Sequence, residues 1–161
     1  MTWTVARDLP GTLTTMAAPP GGAALPAALA RLRDTGAHVL VCLLPPGQVA
    51  ALDLAGEPAA AARAGLGYRS VPIPDFGVPD LAEVAGPLRE LGAELDRGRH
   101  VVVHCWGGVG RSSLVAAALL VLRGTAPDAA WAQVAAARGV PVPETDAQRR
   151  WVSRLVPDRP A

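Results

Sequence analysis

The chain has 161 residues, 50% hydrophobic and 18% charged, enough apolar matter to bury a core and too little charge for a disordered chain. A net charge of +1 gives no general attraction to nucleic acid or to an acidic membrane surface, so any anion site must be local. All 15 basic residues are Arg, which in a chain rich in Ala, Gly and Pro reads as coding bias rather than as a field built for anions.

The opening residues MTWTVARDLP lack the charged-then-apolar pattern of a secretory leader. Val115 to Leu122 is apolar but stops at Arg123, well short of a membrane span. Two cysteines, Cys42 and Cys105, cannot make a disulfide framework, and a reducing cytoplasm is the expected setting. The chain reads as a single domain, 1–161, with an irregular N-terminal segment over 1–24 and the main core over 25–156.

In chain order, Thr2 to Met16 reads as short strands around a Pro-Gly turn at Pro10 and Gly11. Leu25 to Thr35 has Leu25, Leu29 and Leu32 on one helical face, with Gly36 placed to end it. Val39 to Leu44 is an apolar run too short for a helix and closed by Pro45 and Pro46, a buried strand. Gln48 to Arg63 reads as a helix broken near Gly56 and Pro58, and Tyr68 to Ile73 as a strand stopped by Pro72 and Pro74. Leu81 to Asp96 is a helix with Asp80 and Glu83 at capping-box spacing. Val101 to Val103 is a strand running into His104 and Cys105. A Gly-rich turn follows, then the helix Ser112 to Arg123 and two further helices, Pro127 to Arg138 and Thr145 to Leu155. Strands alternating with helices predict an α/β layer structure whose sheet is mostly parallel and flanked by helices.

The chemistry is concentrated in His104-Cys105-Trp106-Gly107-Gly108-Val109-Gly110-Arg111-Ser112. Five residues separate Cys105 from Arg111, enough for the backbone to curl round an anion with its N–H groups inward, and three of the five are Gly, which tolerates that curvature. A helix starting there adds the positive end of its dipole. Arg111 can give two oxygens of a phosphate a planar two-pronged contact. The same donors favour the thiolate of Cys105, the form that acts as a nucleophile. His104 is placed to hold the loop through its backbone, and Ser112 to donate its hydroxyl to the sulfur. His38 and His100 read as rim residues, and the three histidines form no metal-ligand constellation with carboxylates. Neither metal nor organic cofactor is called for.

These nine residues match HCxxGxGR[ST], and the chain thereby resembles the protein tyrosine phosphatase superfamily, most nearly its small dual-specificity branch and, within that, relatives of the cyclin-dependent kinase inhibitor 3 (KAP) phosphatases. The resemblance implies a single cysteine-phosphatase domain and two-step hydrolysis through a phosphocysteine, and it covers roughly Ala37 to Leu155. A general acid is then needed. Asp75, in Pro-Ile-Pro-Asp, matches the family's acid position, whereas Asp80 is committed as a helix cap. Phe76 either packs against an aryl substrate or anchors its loop in the core. Gln148 resembles the glutamine that places the hydrolytic water, with a solvated helix face as its other reading, and Glu144 stands where many members carry a first Gln. Cys42 is either a buried apolar thiol or a disulfide partner that protects Cys105 from overoxidation.

The loop carries no second cation, which disfavours highly phosphorylated inositols. The expected substrate is a phosphorylated protein, through phosphotyrosine and also phosphoserine or phosphothreonine, or a small phosphoester. No nucleic acid or membrane partner is expected, and the oligomeric state is open. Two other classes use such a loop: a phosphate-binding module without turnover, and a thiol enzyme of the arsenate reductase or rhodanese type.

Overall fold

The computed structural model describes residues 1–6 and 9–157. Two short apolar runs make the centre of its sheet. β3 (Val39–Cys42) is buried along its whole length, and β5 (His100–His104) is buried from Val101 onward, as strands covered on both faces must be. β4 (Gly67–Ser70) pairs parallel to β3, and β2 (Thr12–Met16) parallel to β5. β1 (Thr2–Ala6) closes the far edge antiparallel to β2, with a register irregularity between Thr4 and Ala6. The order is therefore β1-β2-β5-β3-β4, with β5 in the middle. The segment Thr2 to Met16 thus supplies two sheet strands, and Arg7 and Asp8 lie outside the described residues.

Alternation along β5 separates the molecule into two cores. Val101 and Val103, and Cys105 just beyond the strand, join Leu88, Leu91 and Leu95 of α4 (Leu81–Asp96) and the whole of α5 (Gly110–Leu122). α6 (Pro127–Arg138) and α7 (Asp146–Ser153) pack on α5 from outside, so α5 is buried from Gly110 through Val121 and is apolar on every side, as such a position demands. Val102, with Leu40 and Cys42 of β3, faces the other core. There it meets Leu25, Leu29 and Leu32 of α1 (Leu25–Asp34) and Ala60 and Ala61 of α3 (Glu57–Arg63). Arg138 ends α6 with its guanidinium 3.3 Å from the centre of the Trp3 ring, and Gln133 Nε2 donates to the Val5 carbonyl at 3.0 Å, tying α6 to the edge strand.

Several boundaries differ from the expected ones, each for a local reason. β3 and β4 stop at Cys42 and Ser70, although the Leu43, Val71 and Ile73 N–H groups still donate to the His104, Cys42 and Leu43 carbonyls; Pro74, with no N–H to give, follows directly. The stretch from Gln48 to Arg63 is two helices, α2 (Pro46–Ala51) and α3, parted by Asp53 in a left-handed conformation (φ 53°). α7 is shorter than expected and starts on the Thr145 cap, whose hydroxyl accepts from the Gln148 N–H at 3.2 Å. α5 begins at Gly110, two residues before the expected Ser112, which puts Arg111 inside its first turn.

Candidate active site

Cys105 follows the last residue of β5, at the carboxyl edge of a parallel sheet where the strands point their ends into a common crevice. From there the chain turns back over the end of β2. Gly108 has φ +69°, and a Cβ on it would lie 2.5 Å from the Met16 carbonyl carbon, so this turn admits no larger residue. The Ala18 N–H donates to the Trp106 carbonyl at 3.0 Å and pins the loop on that side. The loop then enters α5 at Gly110, and the first-turn N–H groups of a helix have no partner within it.

Arg111 is 2% exposed, yet its guanidinium reaches the cavity through three fixed acceptors. Nη1 donates to Gln48 Oε1 at 2.6 Å and to the Ile73 carbonyl at 3.3 Å, while Nη2 lies 3.0 Å from Asp75 Oδ1. Asp75 is half exposed, on the loop after β4, and makes the ion pair without giving up contact with solvent. Asp80 is spent as the α4 cap, accepting from the Ala82 and Glu83 N–H groups at 2.8 and 3.3 Å. Cys105 Sγ and Ser112 Oγ lie 3.6 Å apart, and a rotating hydroxyl can donate to the sulfur once it is a thiolate.

Behind the loop stands a buried charged pair. His104 Nδ1 faces the Cys105 carbonyl at 3.4 Å, and Nε2 lies 3.0 Å from Glu57 Oε1, both side chains having no exposure. Tyr68 Oη donates to the other Glu57 oxygen at 3.3 Å. Burial alone would push the His104 imidazolium down, but hydrogen bonds to Cys42 and Glu57 outweigh it and raise the pKa to about 10. Burial pushes the Tyr68 phenol up, with Cys42 and Glu57 adding to it. Cys42, Glu57 and His104 bring their donor atoms within 4.8 Å of one another, the one such grouping among the described residues. His104 Nε2 and Glu57 Oε1 face each other at 3.0 Å as an ion pair without hydrogen-bond geometry, and a protonated imidazole has no lone pair on Nε2 to give a metal.

These parts surround a cavity of about 390 Å³. Cys105, Arg111, Asp75 and Glu144 line it, as do the loop residues Trp106, Gly107, Val109 and Gly110; Gln48 and Phe76 complete the wall. Of the residues expected from sequence, His104, Ser112 and Gln148 lie behind the wall, fully buried. Gln148 is therefore no solvated helix residue: its Oε1 accepts from the Glu144 N–H at 3.0 Å. Phe76 is 61% exposed with φ 55°, so it stands on the rim and does not anchor the core. Gln48, Glu57 and Tyr68 were not foreseen.

Cys42 does not belong to the site. It is the register partner of His104 and shares that residue's face of the sheet, while Cys105 packs into the core on the opposite face. Of the two readings of Cys42, its place in the other core fits the buried apolar thiol, and cysteines whose Cβ vectors point apart are bridged only if the backbone moves.

A parallel sheet that delivers a cysteine–arginine loop into a helix, with an acidic loop above it, defines the dual-specificity type of cysteine-phosphatase fold. The chain belongs to the family described as "Polymorphic toxin system, DSP-PTPase phosphatase", whose model matches residues 14–125. Among curated relatives it is similar to cyclin-dependent kinase inhibitor 3 of Sus scrofa, 50% identical over 50 residues, which is 31% of this chain and 24% of the relative. The protein of that name from Homo sapiens is 48% identical over 50 residues, 31% of this chain and again 24% of the relative. The chain thus matches about a quarter of the length of these relatives. Among solved structures, kinase associated phosphatase with serine at its catalytic cysteine has a TM-score of 0.83 at 23% identity, covering 94% of this chain and 89% of that one. PTPMT1 has a TM-score of 0.76 at 19% identity, covering 95% and 92%. No described helix is long and apolar enough to cross a membrane.

Proposed function

We propose that the chain is a metal-independent phosphomonoester hydrolase acting through a phosphocysteine on phosphotyrosine, and also on phosphoserine and phosphothreonine, in proteins or small phosphoesters. The observation that carries this reading is the convergence of Cys105, Arg111 and Asp75 on one cavity, with Arg111 oriented from behind by Gln48 and Ile73. We read 1–161 as one catalytic unit, with 25–156 as its core, working in a reducing cytoplasm that keeps the thiol usable.

The incoming phosphate takes the place of Asp75 on Arg111, so its charge is met by loop N–H groups and the guanidinium. The Cys105 thiolate attacks phosphorus, the P–O bond to the leaving group breaks, and Asp75, which takes up a proton from solvent when phosphate displaces it from Arg111, passes that proton to the leaving oxygen. Ser112 steadies the sulfur, and His104 holds the Cys105 carbonyl so that the loop keeps its curvature. Phe76 and Trp106, 61% and 46% exposed on the rim, offer flat apolar faces to an aryl leaving group. With one cation against two carboxylates, Asp75 and Glu144, the wall suits a single phosphate rather than a polyphosphorylated substrate.

The test is turnover of p-nitrophenyl phosphate with reductant and EDTA. Activity should vanish in Cys105→Ser and fall about 10²- to 10⁴-fold in Asp75→Asn. Wild-type protein that binds vanadate but turns nothing over would sink the reading.

A further inference from the structure

Four charged side chains are buried among the described residues, and three of them have an opposite charge beside them. His104 faces Glu57, and Arg111 faces Asp75. The fourth, Arg138 at the end of α6, is 7% exposed and takes part in no ion pair and no hydrogen bond among the described residues; its Nε and Nη1 are both enclosed without a partner. The Trp3 ring, whose centre is 3.3 Å from the guanidinium carbon, meets the flat face of the cation and leaves its N–H edge unanswered. A cation enclosed without an anion is costly, and the fold gains from any negative charge that forms on the same side of the sheet.

Strand register shows which group can carry that charge. Trp3 pairs with Thr15 and Thr15 with Val103, so the three form one row on one face of the sheet. Cys105 follows Val103 by two residues and lies in the same core as Val103 and Trp131. α6 packs on this face against α5 and β1, which sets the Arg138 guanidinium over the Trp3 end of the row. Glu57 and His104 lie on the opposite face with Cys42. Among the described residues Cys105, 3% exposed, is thus the one buried group on the Arg138 side that can become an anion. Burial lowers the Arg138 guanidinium, and charge on Cys105 raises it again. An attraction between two charges has one value for both partners, so the thiolate gains from Arg138 what Arg138 gains from it.

We infer that Arg138 is a positioning residue of the active site, a second cation that holds the Cys105 sulfur as thiolate from behind the loop; its use in catalysis rests on the phosphatase reading above. The other charged or donor groups around the nucleophile are Arg111 and Ser112 on α5, Asp75 on the loop after β4, Glu144 before α7, and His104 at the Cys105 carbonyl. Arg111, Asp75 and Glu144 stand on the cavity wall, where a bound phosphate meets them, whereas Arg138 is no part of that wall. The two buried arginines thus divide the work: Arg111 answers the phosphate and Arg138 answers the sulfur. The same charge favours Cys105 twice in a turnover, as the attacking thiolate and again as the group that leaves phosphorus.

Alkylation of Cys105 by iodoacetamide, followed against pH, reads the thiolate directly, since Cys42 is fully buried and Cys105→Ser supplies the blank. Arg138→Met keeps an unbranched chain over Trp3 without the charge, and the midpoint of its alkylation profile should lie higher by about one pH unit. Arg138→Lys, which keeps the charge, should stay close to wild type. The acid limb of kcat/KM for p-nitrophenyl phosphate should move with the midpoint, so that Arg138→Met loses about 10-fold on that limb and rejoins wild type above it. An unmoved midpoint overturns the assignment, as does a shift equal in Arg138→Lys and Arg138→Met, which would trace the effect to packing on Trp3. A merely structural role lowers the melting temperature, and the rate at every pH, while the midpoint stays. Should Arg138→Met not fold, Arg138→Gln carries the same measurement. A midpoint that shifts in a protein without Cys105-dependent turnover removes the phosphatase reading and leaves the coupling of the two charges in place.

Discussion

Arg111 reaches the cavity with one nitrogen already committed. Gln48 Oε1 at 2.6 Å and the Ile73 carbonyl at 3.3 Å both hold Nη1, leaving Nη2 as the arm that Asp75 occupies. A guanidinium gripped in this way pays its ordering cost during folding, so less is lost when phosphate binds. Gln48→Ala should therefore weaken vanadate binding and lower kcat/KM by about 10- to 100-fold, in line with the ~1.5–3 kcal/mol of a hydrogen bond to a charged group. The check is vanadate titration beside steady-state kinetics; unchanged affinity would mean that Ile73 alone orients the guanidinium. Cys105, Arg111 and Ser112 were legible in the sequence because the loop is continuous, and Asp75 because its segment is marked by prolines. Gln48 carries no such mark. It arrives on α2, which follows β3, and the parallel pairing of β3 with β5 brings it beside Arg111.

Between elements, the contact that matters most joins β5 to α3. The imidazole of His104 and the carboxylate of Glu57 meet in a core made mostly of Leu and Ala, where an unpaired charge would be costly. His104 is raised from 6.5 to about 10, so the folded state holds its proton more tightly than the unfolded chain does. The resulting stability is complete below pH 6.5 and drains away as pH climbs toward about 10. Tyr68 faces the same pair and burial pushes its phenol up, so the decisive quantity is the difference between wild type and Glu57→Gln. Urea midpoints should fall for the wild type across that interval and fall much less for the variant, which should start lower by about 3 kcal/mol. Parallel curves would show that the pair does not carry the pH dependence. Helix starts were readable from Asp80 and Thr145, whose capping is local. Strand order was not, because parallel pairing depends on contacts far apart in the chain and leaves no short-range sign.

For the molecule as a whole, the sheet acts as a partition. One side holds α4 through α7, the loop and the nucleophile; the other holds α1, α3 and the charged pair. β5 serves both, because consecutive residues point in opposite directions: His104 to the charged pair, Cys105 to the cavity. The strand thereby links two chemically distinct compartments through one peptide unit. This partition also decides how the site meets oxidants. Cys105 lines the open cavity, whereas Cys42 is fully buried on the far side, so peroxide should reach Cys105 first and find no resolving thiol across the sheet. Peroxide-treated protein, digested without reductant, should yield no peptide joining Cys42 to Cys105. Inactivation and its reversal by dithiothreitol should follow the same course in Cys42→Ser as in wild type. Recovery of the cross-linked peptide would demand that the end of β5 turn over, breaking the Leu43 N–H to His104 carbonyl bond of 3.0 Å and the ion pair with Glu57. Such an opening would also expose amides of β3 and β5 to hydrogen exchange upon oxidation, whereas a sheet that stays closed keeps them protected while activity disappears.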